Sequence, residues 1–101
     1  MFFNQYLNEI YMSMLTDKYE EQYLMNFDEN NFKEIYLLLK QAGFYYLEDI
    51  ILYYLELFEC DKEKVEINLS LVQEELGNNY VSIIGKDLSL LEKLLPTFEE
   101  A

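Results

Sequence analysis

In the stretch GFYYLEDIILYYLELFEC, residues 43–60, the apolar side chains Leu47, Ile50, Ile51, Tyr54, Leu55 and Phe58 recur at intervals of three and four. That period sets all six on one face of an α-helix, and it does not fit the strict alternation of a half-buried strand. Glu48, Asp49, Glu56 and Glu59 lie in the same stretch. Four carboxylates there exclude a bilayer-spanning reading, and no run elsewhere is long and apolar enough for one.

The same period runs through the rest of the chain. Phe3, Tyr6, Leu7, Ile10, Tyr11, Met14 and Leu15 read as one helical face over three turns, with Thr16 or Asp17 as its interruption. Asp17 with Glu20 resembles a capping pair, and Tyr19 to Phe27 then either continues the helix or forms a short second one. Asp28-Glu29-Asn30-Asn31 is a polar joint, and Asn31 with Glu34 predicts the next helix start, followed by the stripe Phe32, Ile35, Tyr36, Leu39. Gly43 is the expected C-cap of that helix. Asp61 is the expected cap of a helix lined by Val65, Leu69, Val72 and Leu76, which ends at Gly77-Asn78-Asn79.

Tyr80–Ile84 is β-branched enough for a strand but lacks a partner, so a helix or buried connector is expected. Gly85-Lys86-Asp87 reads as a break. Ser89 with Glu92 reads as a capping box before Leu88, Leu91, Leu95 and Phe98, with Pro96 stopping the helix. With 101 residues, no repeat and no linker, the reading is all-α: one compact bundle of four to six helices, a single domain over 1–101. Cys60 is the sole cysteine, so no intramolecular disulfide forms. The amino-terminal segment has no basic region or small-residue cleavage site, which together with the lone thiol predicts a cytoplasmic protein.

Composition narrows the chemistry. Twenty acids face seven lysines, for a net charge of -13, and there is no Arg, His or Trp. Without His there is no imidazole base and no Ser-His-Asp or Cys-His arrangement. One Cys and no His exclude a single-chain structural zinc site. The three glycines form no phosphate-cradling loop, and residues 28–31 lack the glycine and distal Glu of a calcium loop. Adjacent acids such as Glu74 and Glu75 point about 100° apart on a helix and do not converge. The expectation is a non-enzymatic protein with no metal or cofactor. Cys60 lies between Glu59 and Asp61, which favour the unreactive thiol. Seven dispersed lysines make a poor binder of nucleic acid and of anionic membranes. A strongly acidic domain is instead steered toward a basic protein.

On the 43–60 helix, Tyr46, Asp49, Tyr53 and Glu56 fall at i, i+3, i+7 and i+10, a line of alternating phenol and carboxylate. Tyrosine gives large contact area with few rotors and a polar tip. Carboxylates at i, i+3 and i+4 lie about 6 Å apart, which resembles the spacing of successive phosphates on a nucleic-acid strand. The expected partner-binding residues are therefore Tyr45, Tyr46, Asp49, Tyr53, Glu56 and Glu59. The expected partner is a basic nuclease or other nucleic-acid-binding protein. Two biological classes use small acidic proteins in this way: phage-encoded inhibitors of bacterial defence nucleases, anti-CRISPR proteins among them, and immunity proteins that neutralise a nuclease toxin. A rival expectation is a helical self-assembly or adaptor module in which the tyrosine flank buries in a homodimer. Such a dimer would concentrate the acids of two chains, which disfavours it unless they stay at the rim.

Overall fold

The computed structural model describes residues 1–96, so the expected position of Phe98 lies outside the described residues. Within them there are six α-helices and no strand: α1 (Glu9–Lys18), α2 (Glu21–Met25), α3 (Glu29–Ala42), α4 (Leu47–Tyr53), α5 (Lys62–Leu76) and α6 (Tyr80–Lys86). Three 3₁₀ helices accompany them: Phe2–Gln5 before α1, Leu55–Glu59 between α4 and α5, and Leu88–Leu94 after α6. The all-α class holds. A bundle of four to six helices is too simple a description, because only α3 and α5 exceed ten residues and much of the chain is short helical pieces.

Each piece has a local cause. The amino-terminal face read as one helix is two, because Asn8 accepts a hydrogen bond from the Tyr11 N–H at 2.9 Å and caps a fresh start at Glu9. Phe3, Leu7 and Leu15 are buried, but Ile10 and Met14 face solvent. Asp17 does not cap; α1 runs through it to Lys18. The start of α3 is capped by Asp28, which accepts from the Asn31 N–H at 3.1 Å. Asn31 is therefore in the first turn rather than at the cap. Its side-chain amide instead donates to the carbonyls of Phe58 at 2.7 Å and Cys60 at 3.0 Å. Gly43 ends α3 at φ 104, a left-handed conformation that glycine adopts without Cβ strain. Asp61 caps α5 as expected, accepting from the Glu63 N–H at 2.8 Å, and Gly77 closes it. Residues 80–84 are helical; α6 continues through Gly85 and Lys86. The last cap is Asp87, not Ser89: the Asp87 carboxylate accepts from both the N–H and the hydroxyl of Ser89. The helix that follows is 3₁₀ and stops at Leu94, just before Leu95-Pro96.

The core is one contiguous cluster, with no charged residue buried among the described residues. Its centre is Phe32, fully buried, with ring centroids of Phe58 at 4.7 Å, Tyr6 at 4.9 Å and Phe2 and Phe3 at 5.2 Å. Most of these pairs are edge-to-face, which aligns positive ring edges with negative faces and adds about 0.5–1.5 kcal/mol per pair beyond burial. Helix α3 presents this ring with Ile35 and Leu39 against the Leu55–Glu59 segment and α5. That contact holds the 43–60 stretch in place.

Candidate functional site

The stretch that carries the expected site is not one helix. Helix α4 ends at Tyr53; Tyr54 leaves helical geometry at φ -135, ψ 48; and Leu55–Glu59 continues as a 3₁₀ helix. A 3₁₀ helix has three residues per turn, so the buried face shifts. Leu52, Leu55 and Phe58, three apart, are all buried, and Leu57 joins them. Tyr54, expected in the core, is only half-buried. The continuous line Tyr46-Asp49-Tyr53-Glu56 is accordingly not formed as a helical row.

The six expected residues separate into two groups. Tyr46 precedes α4 and is half-buried; its hydroxyl donates to the Val81 carbonyl at 2.5 Å, and its ring lies where a Cβ on Gly85 would sit 2.9 Å from it. Tyr46 thus ties α4 to α6, and burial pushes its phenol pKa up. Tyr45 beside it is 75% exposed, its ring edge-on to Tyr46 at 4.9 Å. Asp49 is engaged at 2.7 Å by the hydroxyl of Tyr11. That hydrogen bond, then burial and the Asp49 charge, raise the Tyr11 pKa to about 12.

Tyr53, Glu56 and Glu59 are exposed and belong to a larger face. Lys18, at the end of α1, donates to the Leu52 carbonyl at 3.0 Å, and its ammonium lies 5.1 Å from the Tyr53 ring and 5.5 Å from Tyr19. The lysine thereby satisfies a carbonyl near the end of α4 and sits within cation–π range of two rings. Tyr19 and Tyr23 stack loosely, centroids 5.6 Å apart. Both phenols are held above the usual tyrosine range, first by burial and then by nearby carboxylates, chiefly Glu56 for Tyr19 and Glu59 for Tyr23. On the other flank Tyr54 is raised by burial and then by Glu92, Glu56 and Asp87. The face thus runs from Tyr23 and Tyr19 across Tyr53 and Glu56 to Tyr54 and Glu92.

Tyr19, Tyr23, Tyr54 and Glu92 are absent from the sequence-level set. Tyr19 is the extended residue that ends α1 and Tyr23 lies in α2, so their spacing of four marks no shared helix; only the fold brings them beside Glu56 and Glu59.

An open cleft of about 660 Å³ borders the face, lined by Glu20, Tyr23, Asn26, Phe27, Asp28 and Glu59 among others. A second, shallower groove of about 510 Å³ is lined by Tyr53, Tyr54, Glu56, Leu88 and Glu92. Among the described residues, no three His, Cys, Asp or Glu side chains gather to hold a metal ion, and no helix is long and apolar enough to cross a membrane. Cys60 is half-buried; its thiol pKa is raised by burial and then by Glu56 and Glu59, so the group is poorly suited to nucleophilic work. Compared with known proteins, this chain matches no family model, no curated protein and no solved structure.

Proposed function

We propose that this protein binds and inhibits a basic nucleic-acid-handling protein through the tyrosine and carboxylate face centred on Tyr53 and Glu56. The carrying observation is that exposed phenols and exposed carboxylates interleave there on a chain of net charge -13. Rigid aromatic area supplies contact at low entropic cost, and the carboxylates supply steering toward a cationic surface. The face presents both without further ordering of the α1–α4 contact, since Lys18 and the Tyr11–Asp49 hydrogen bond already fix it. The regular helical row of carboxylates is gone, so phosphate mimicry rests on the clustering of acids rather than on helical spacing. Steric occlusion of a nucleic-acid groove is the companion mode.

The biological setting that fits is a cytoplasmic, non-enzymatic, phage-encoded anti-defence inhibitor of the anti-CRISPR type. An immunity protein that neutralises a nuclease toxin would use the same surface, and a toxin gene immediately upstream would indicate it. The test is salt dependence. Affinity for the basic partner should fall steeply between about 50 and 200 mM salt, as electrostatically steered association does when charges are screened. Affinity that stays flat with salt for every cationic candidate would remove the electrostatic reading.

One observation favours a second reading, a self-assembly or adaptor module. Ile67 and Leu71, four apart on α5, are 60% and 55% exposed and could meet a second copy. That reading expects a mass that rises with concentration, and a strictly monomeric light-scattering profile removes it.

A further inference from the structure

We infer that the groove between the Tyr53–Glu56 turn and the Leu88–Leu94 3₁₀ helix is a seat for a single arginine side chain of the partner. The groove is lined by two phenol rings, two carboxylates and Leu88, in about 510 Å³ open to solvent. That set matches one chemical class. A planar guanidinium stacks on tyrosine faces and forks onto carboxylates, while its aliphatic stem packs on an apolar side chain. An ammonium offers a point charge without the planar stack, and a neutral side chain would leave two carboxylates facing it without a donor.

Two features of the molecule point the same way. The acids Glu56, Glu92 and Asp87 are close enough to Tyr54 to perturb its phenol. Lys93, beside Glu92 in sequence, does not neutralise it; its ammonium bonds to Glu75 on α5 at 3.0 Å and leaves Glu92 to the groove. The groove also lies at a break in helix geometry, where Tyr54 departs from α4. Charge complementarity is thus local to this groove as well as general to the chain.

This inference takes its partner class from the proposed function, but its test does not need the partner. The probe is N-acetyl-arginine methylamide, titrated into the isotopically labelled protein and followed by amide chemical shifts. The neutral citrulline analogue and the lysine analogue are the controls. We expect saturable shifts confined to Tyr53, Tyr54, Glu56, Leu88 and Glu92, at least fivefold weaker binding with lysine, and none with citrulline. Glu56→Gln with Glu92→Gln should weaken arginine binding at least fivefold; both positions are exposed, so the fold should hold, and an unchanged amide spectrum elsewhere checks it. Shifts spread over all acidic surfaces, equal binding of lysine, or an unaffected double variant would each overturn the site. If the arginine probe binds as expected but no basic partner shows salt-dependent affinity, the groove stands and the proposed function fails.

Discussion

Replacing Asn31 by Asp separates two roles for one side chain. If Asn31 were the amino-terminal cap of α3, Asp would serve equally well, and stability would stay within about 0.5 kcal/mol of the parent. In the structure Asp28 is the cap, and the Asn31 amide donates to the carbonyls of Phe58 and Cys60 at 2.7 and 3.0 Å. A carboxylate has no proton to donate. The substitution removes two part-buried hydrogen bonds, each contributing about 0.5–1.5 kcal/mol, and sets an anion against two carbonyl oxygens. The expected loss is about 2 kcal/mol, which for a domain of this size lowers the melting temperature by roughly 8–16 °C. Thermal melts followed by circular dichroism, with urea unfolding as a second measure, give the value. Lowering the pH should restore part of the loss, because the protonated acid regains a donor. A melting temperature within about 2 °C of the parent would refute the tether and favour the capping role. Asp28→Ala provides the complement and should cost about 1 kcal/mol.

Three further outcomes are expected. Tyr53→Ala should weaken partner binding while changing stability by under about 1 kcal/mol, since the ring is 49% exposed; a large loss of stability with intact binding would place the ring in the core instead. Tyr46→Phe should lose about 1 kcal/mol by leaving the Val81 carbonyl without its donor, and should leave partner binding unchanged; if it weakens binding, Tyr46 belongs to the interface after all. Tyr11 should ionise late, near 12 rather than 10.0, because its hydrogen bond to Asp49 holds the proton. The folded-state pKa is raised, so the stability this contributes is complete below pH 10 and fades as the pH rises toward 12. Asp49→Asn should move that midpoint down when the Tyr11 ring resonances are followed by NMR against pH, and an unmoved midpoint would mean that the pair does not form in solution.

How far the sequence predicts this molecule depends on which physical signal each residue carries. The Phe32, Ile35, Tyr36, Leu39 and Val65, Leu69, Val72, Leu76 stripes were legible because long α-helices repeat one period; all are buried except Tyr36 and Leu76, which are half-buried. Gly43, Asp61 and Gly77 were legible as punctuation because their backbone chemistry is local. The break at Tyr54 was not, since no Gly or Pro marks it; the Leu52, Leu55, Phe58 spacing of three fits a 3₁₀ turn but is hidden inside a plausible 3.6-residue pattern. Asn31 reads as a cap for a related reason. Asparagine both caps helices and donates to distant carbonyls, and sequence spacing alone does not separate the two uses. At the candidate site, Tyr53, Glu56 and Glu59 are exposed, while Tyr46 and Asp49 are engaged in contacts that tie elements together. The Tyr19–Tyr23 flank depends on how α1 and α2 lie against the Tyr53–Glu59 turn, and helical spacing within one segment carries no such information.

In the proposed mode this acidic face occupies the place of nucleic acid on a basic protein. The direct measurement is competition: a labelled oligonucleotide bound to the partner, displaced by increasing amounts of this protein and, in parallel, by its Tyr53→Ala, Glu56→Gln variant. Stoichiometric displacement by the parent chain, with the variant weaker by tenfold or more, is the predicted result. An oligonucleotide that remains bound while this protein also binds the same partner would contradict it.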